Sequence, residues 1–124
     1  IKKENTKVIS VFGCGGDRDP YKRSIMGKTG AVNSDIAIFT SDNPRSEDPD
    51  AIIERMKTNL SDEDLQKVKT ISNRREAIQE AVKLAQKGDI ILVAGKGHED
   101  YQIIKGVKLH FDDMEELKKA FSQI

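Results

Sequence analysis

Apolar residues along the chain follow two spacings. Residues 7–12, 35–40, 68–71 and 89–94 are short, rich in β-branched residues and bounded by turn formers, which predicts four strands. The last contains Ile90-Ile91-Leu92-Val93-Ala94, the most continuous apolar stretch, and predicts a central parallel strand buried on both faces. Between these runs the apolar residues recur three and four apart, as on one face of a helix. Residues 22–33 predict a helix weakened by Gly27 and Gly30. Residues 49–60 predict a stronger one. Asp48 is placed to cap it, Pro49 suits its first position, and Ile52, Ile53, Met56 and Leu60 share a face. Residues 61–64 read as a surface turn or the start of a short helix. The best helix is predicted over 73–87, with Asn73 as cap, Gly88 as terminator and a stripe of Ala77, Ile78, Ala81, Val82, Leu84 and Ala85. Residues 101–104 and 107–111 flank Lys105-Gly106 and predict a hairpin or two edge strands. Asp112 can cap a last helix over 113–121. Strands alternating with helices predict an α/β fold: a doubly wound, mostly parallel sheet with an antiparallel edge. Residues 1–7 are polar and read as a frayed end or linker, and residues 8–124 as one domain. No internal repeat or low-complexity tract interrupts this order.

Composition narrows the function. The chain has 124 residues and carries 21 Lys+Arg against 21 Asp+Glu, a net charge of zero. That balance argues against a nucleic-acid partner, which selects a basic excess, and against a polybasic membrane surface. No apolar run approaches the roughly 18 residues of a membrane-spanning helix, and Ile1-Lys2-Lys3-Glu4-Asn5 lacks the apolar core of a signal peptide. A single cysteine, Cys14, makes neither an internal disulfide nor a cysteine-cluster metal site. The expectation is a cytoplasmic protein, and the missing initial Met fits a piece of a longer one.

In an open parallel sheet, ligands bind beyond the carboxyl ends of the strands. Three loops rich in glycine, charge and proline leave such ends: residues 13–21, 41–48 and 95–102. Gly13-Cys14-Gly15-Gly16-Asp17-Arg18-Asp19 can bring backbone N–H groups close to an anion. It does not complete the dinucleotide fingerprint, because Arg18 stands where the third glycine belongs. Arg18 and Arg23 offer planar donor forks for phosphate or carboxylate, or else surface ion pairs with Asp17 or Asp19. Gly27-Lys28-Thr29 resembles the end of a phosphate-binding loop, but Lys22 occupies the first glycine position, so a glycine-bearing helix packed on the sheet is expected instead. In Asp42-Asn43-Pro44-Arg45-Ser46-Glu47-Asp48, Asn43 is driven extended by the following proline and Arg45 can clamp a carboxylate, while Ser46 or Asp48 caps the next helix. In Gly95-Lys96-Gly97-His98-Glu99, Glu99 can accept from an ammonium group. His98 has no second histidine at metal spacing and reads as a hydrogen-bonding side chain. Cys14 has no evident base beside it and reads as a small packed side chain. Two arginines, an asparagine and a glutamate at one sheet edge suit a zwitterion, with its carboxylate on Arg and its amine on Glu.

Three motifs in this order resemble the C-terminal domain of the Mur ligases, specifically those that add meso-diaminopimelate. They are Phe12-Gly13-Cys14-Gly15-Gly16-Asp17-Arg18-Asp19 with Lys22-Arg23, Thr40-Ser41-Asp42-Asn43-Pro44-Arg45, and Ala94-Gly95-Lys96-Gly97-His98-Glu99-Asp100-Tyr101-Gln102. The similarity runs over about residues 8–121. It implies an ATP-dependent ligase of peptidoglycan precursor synthesis that joins meso-diaminopimelate to UDP-MurNAc-L-Ala-D-Glu through an acyl phosphate. By the same resemblance Arg18, Asn43, Arg45, Gly95 and Glu99 bind diaminopimelate, with Arg45 and Asn43 on its distal carboxylate and Glu99 on its distal ammonium. Asp42, Lys96 and His98 support these motifs. Asp17, Lys22 and Arg23 belong to a segment that closes over ATP. Pro20-Tyr21 departs from the Gly-Lys-Arg that often follows in the family, while Lys22 and Arg23 keep the two basic residues.

The resemblance further implies that ATP and Mg2+ are held by upstream domains, together with the UDP-binding site, and that this chain alone holds neither and is inactive. Its implied partners are those domains and the small-molecule substrates. Two other readings stay open at this stage: a free-standing module that captures a diamino acid or muropeptide without catalysis, and a phosphate-sensing nucleotide-binding α/β domain.

Overall fold

The computed structural model describes residues 6–16, 21–94, 101–104 and 107–122. Four parallel strands, β1 (Val8–Phe12), β2 (Ile36–Phe39), β3 (Val68–Thr70) and β4 (Ile90–Ala94), form one sheet in the order β3-β2-β1-β4. The helices are α1 (Tyr21–Val32), α2 (Pro49–Met56), α3 (Asp62–Gln66), α4 (Arg74–Leu84) and α5 (Asp113–Ser122). The antiparallel pair β5 (Tyr101–Ile104) and β6 (Val107–His110) stands as its own two-stranded ribbon and is not hydrogen-bonded into the parallel sheet.

Alternation along β1 and β2 builds two cores. Ile9, Val11 and Ile38 point to one face, where Ala77, Ile78, Ala81 and Val82 of α4, with Phe111 and Ala120, cover them. Phe12, Ala37 and Phe39 point to the other, against Ala31 of α1 and Ile52, Ile53 and Met56 of α2. The predicted caps form. Asp48 accepts from the N–H of Asp50 and Asn73 from that of Glu76, and Asp112 accepts from Met114 and Glu115; Ser61, which the sequence did not single out, also caps, accepting from Asp64. Each oxygen satisfies an otherwise orphaned N–H of a first turn.

α2 ends at Met56, with Lys57 as its C-cap, and not at residue 60, and two further expectations change. β4 is not central: it borders the sheet on the far side of β1, and its Leu92 is 54% exposed. Apolar content did not distinguish the two positions: Ile91 and Val93 pack on one core and Ala94, on the opposite face, on the second, while Ile90 and Leu92 are left exposed. That opposite face, with Phe12 and with Ile25 and Met26 of α1, lines an apolar groove of about 390 Å³. The second change is at the end of α4, which stops at Leu84; Ala85 is already extended, and Gly88, at φ +93°, serves the following turn.

At the amino ends of the strands two aspartates complete the start of β1. Asp35 accepts from the N–H of Val8 at 2.8 Å and Asp89 from that of Lys7 at 2.8 Å. The carboxyl ends of the strands are thereby left for the three loops.

Candidate functional site

The loops after β1 and β2 interlock. The N–H of Gly16 donates to the carbonyl of Asn43 at 2.7 Å. A Cβ at Gly16 would lie 1.8 Å from the Pro44 carbonyl oxygen, and one at Gly13 would lie 2.3 Å from that of Thr40. Glycine is required at these positions by the neighbouring loop itself, beside any anion the loop receives.

The Asp42–Arg45 segment is also stitched to β5. Asn43 is 1% exposed, and its Oδ1 accepts the N–H of Ile103 at 2.8 Å. Arg45 donates its backbone N–H to the Ile103 carbonyl at 2.9 Å, and Gln102 donates from Nε2 to the Asp42 carbonyl at 2.8 Å. Arg45 holds φ at +55°, in the left-handed region that costs an L-residue about 1–2 kcal/mol. Its Nη1 bridges the carbonyls of Gly16 at 2.9 Å and Asn43 at 3.3 Å. The guanidinium is therefore half-buried between the loop after β1 and its own loop, in a backbone conformation that the surrounding bonds impose.

Arg23 is turned inward, at 3% exposed. It pairs with Glu47 through Nη1 at 2.8 Å and Nη2 at 3.0 Å, and donates to the Gly15 carbonyl at 3.2 Å. It thus braces the loop after β1 against the one after β2. Lys22, its neighbour, faces solvent, and Asp42 is half-buried. Cys14 is buried with Sγ 3.7 Å from the sulfur of Met26, and burial pushes its thiol up to about 11. That is a packed side chain and not an activated nucleophile. Gly27-Lys28-Thr29 lie inside α1, where a Cβ on Gly27 would meet the Met56 carbonyl oxygen at 1.9 Å. They form no phosphate cradle, so these residues do not fit the triphosphate of ATP.

Of the expected ligand-binding residues, the structure brings Asn43 and Arg45 together at the carboxyl edge of the sheet. Arg18, Gly95 and Glu99, with Asp17, Lys96 and His98, lie outside the described residues.

Sequence reasoning missed Arg74. It is 1% exposed at the first position of α4. Its Nε and Nη2 grip the carboxylate of Asp113, both at 2.7 Å, while Nη1 donates to the Ser41 carbonyl at 2.9 Å and Nη2 to that of Ala94 at 3.0 Å. One signal was available. A cation at a helix N-terminus opposes the helix dipole, so an arginine directly after the cap Asn73 needs a specific partner.

Comparison with known proteins agrees with this architecture. Residues 1–97 match the family model described as Mur ligase, glutamate ligase domain. The chain belongs to the Mur ligase family. It is 59% identical over 94% of its length to the UDP-N-acetylmuramoyl-L-alanyl-D-glutamate--2,6-diaminopimelate ligase of Bacteroides thetaiotaomicron, and 50% identical over 95% to the ligase of the same name from Clostridium tetani. A solved structure of a ligase of that name superposes with a TM-score of 0.88 at 44% identity over 94% of this chain. The chain spans about a quarter of the length of these proteins, 24% in each case. Among the described residues, no helix is long and apolar enough to cross a membrane.

Proposed function

We propose that this chain is the amino-acid-binding domain of a longer cytoplasmic ligase that joins meso-diaminopimelate to the D-glutamate end of UDP-MurNAc-L-Ala-D-Glu with ATP. In this reading the acceptor carboxyl is activated as an acyl phosphate. The amine of diaminopimelate attacks it, the amide C–N bond forms, and phosphate leaves. In the same reading ATP and Mg2+ are held by other parts of the polypeptide.

The contribution of these residues is to hold the incoming amino acid. Arg45 offers a charge-assisted fork to the distal carboxylate. Asn43, held by its Oδ1 on the N–H of Ile103, stands beside it on the same carboxylate. Glu99 takes the distal ammonium, and Arg18 and Gly95 complete the set. Asp17, Lys22 and Arg23 belong to the segment that closes toward ATP. The observation that carries the reading is the convergence on Arg45: a strained residue fixed between the loop after β1 and β5, at the sheet edge where α/β folds bind ligands.

The experiment is a ligase assay on the full-length polypeptide with UDP-MurNAc-dipeptide and ATP. Diaminopimelate is expected to be incorporated with kcat/KM at least about tenfold above that for lysine, the value of one well-made charged contact. Equal use of the two amino acids contradicts the reading. Residues 1–124 alone are expected to release no phosphate from ATP.

A further inference from the structure

Arg74 touches both loop stems of the site, and the reading above gives it no task. Its carbonyl partner Ser41 is the residue before Asp42, and its other partner Ala94 is the residue before Gly95. A planar guanidinium spans the two at 2.9 and 3.0 Å, and Asp113 of α5 locks its plane through a two-point pair. The stem after β2 is held from a second side. The Ser41 hydroxyl donates to the Ser72 carbonyl at 2.6 Å, and Thr40 Oγ1 donates to the same carbonyl at 3.3 Å, both just ahead of α4.

A stability role alone accounts poorly for this arrangement. Taking a guanidinium out of water costs free energy that a buried pair recovers only with good geometry, and apolar replacements of such pairs are often as stable. The position at the start of α4 adds an unfavourable dipole. What an arginine supplies there, and an apolar residue does not, is a fixed separation between two main-chain carbonyls from different strands.

We infer that Arg74 is a positioning residue for the amino-acid site: through its bonds to the Ser41 and Ala94 carbonyls it fixes the stem of the segment carrying Asn43 and Arg45 against the end of β4. The inference rests on the proposed binding of diaminopimelate by that segment. The distance between the carboxylate end and the ammonium end of a zwitterion is fixed by its covalent structure. Reading its carboxylate end therefore depends on where the segment carrying Asn43 and Arg45 is held, and misplacement by about 1 Å is worth up to about a hundredfold in rate.

The test uses the full-length ligase with Arg74→Lys, which keeps the charge and loses the planar fork, and Asp113→Asn, which keeps the size and loosens the plane. Asp113→Asn decides the matter where Arg74→Lys does not accumulate as folded protein. Steady-state constants are measured for diaminopimelate, ATP and UDP-MurNAc-dipeptide, with thermal melting alongside. The expected result is a KM for diaminopimelate raised at least about tenfold, with the KM for ATP within about twofold of the parent. A lowered Tm with an unchanged KM for diaminopimelate, or an equal change in the constants for all three substrates, overturns the inference and leaves Arg74 a structural residue. Arg45→Ala is run in parallel. If it narrows the preference for diaminopimelate over lysine while the Arg74 and Asp113 variants leave the KM for diaminopimelate unchanged, the positioning role alone fails. If Arg45→Ala leaves the preference untouched, the proposed site itself fails.

Discussion

Asn43 Oδ1 accepts the main-chain N–H of Ile103 at 2.8 Å, across 60 residues of sequence. One side chain thereby ties the loop leaving β2 to the ribbon of β5 and β6. Asn43→Ala leaves that N–H without its acceptor, a loss of about 1–3 kcal/mol for a buried donor. The melting temperature is expected to fall by several degrees, as such a loss does in a domain of this size. An unchanged melting temperature shows that the bond contributes nothing to the fold.

That bond also marks where the sequence stops being readable. α2 and α4 were legible because periodic apolar residues and their caps, Asp48 and Asn73, lie within a few positions of one another. That the loops after β1 and β2 lie side by side was legible because strand ends in an α/β fold direct them to one edge. The partner of Asn43 was not legible, since nothing near residue 43 points to Ile103. Gly16 was read as an anion cradle, and its close contact with Pro44 depends on a distance that only the folded chain sets. Arg74 was not singled out, because its burial depends on four acceptor atoms on three separate parts of the chain, Ser41, Ala94 and Asp113. β4 was placed in the centre on composition. Its neighbours are chosen by topology, and Leu92 remains exposed despite being apolar.

Asp89 links stability to pH. Its carboxylate accepts from the N–H groups of Gln86 and Lys7, both at 2.8 Å, and pairs with the Lys7 ammonium at 3.0 Å. The Gln86 bond first, then those of Lys7, draw its pKa from 3.8 down to about 2. The charged form is favoured in the folded state, so its contribution is present above the ordinary carboxylate value and is lost as pH falls toward 2. Asp89→Asn is expected to lower Tm at pH 7, with the gap to the parent protein closing between about pH 4 and pH 2. A gap that stays constant over this range contradicts the assignment.

Cys14 is expected to resist alkylation. A rise from 9.0 to about 11, caused mainly by burial, lowers the thiolate fraction at pH 8 by about a hundredfold, and the side chain is 6% exposed. Iodoacetamide is expected to label the native chain at least about a hundredfold more slowly than the chain unfolded in denaturant. Comparable rates show that the β1 end opens readily and that the packed reading of Cys14 is wrong.

The most direct test of the amino-acid-binding account is the ratio of kcat/KM for diaminopimelate to that for lysine, measured in full-length ligase with and without Arg45→Ala. Diaminopimelate carries one more carboxylate than lysine at its far end. With lysine bound, the guanidinium of Arg45 loses that partner, which costs about 1–3 kcal/mol, or roughly a ten- to hundredfold preference. Arg45 also braces its loop through Gly16 and Asn43, so the alanine variant loosens the loop for both substrates. That shared loss cancels in the ratio. The ratio is expected to fall at least about tenfold in Arg45→Ala, with partial recovery in Arg45→Lys, whose point charge cannot make the fork. An equal loss for both amino acids, leaving the ratio unchanged, contradicts the account and makes Arg45 a brace for its loop alone.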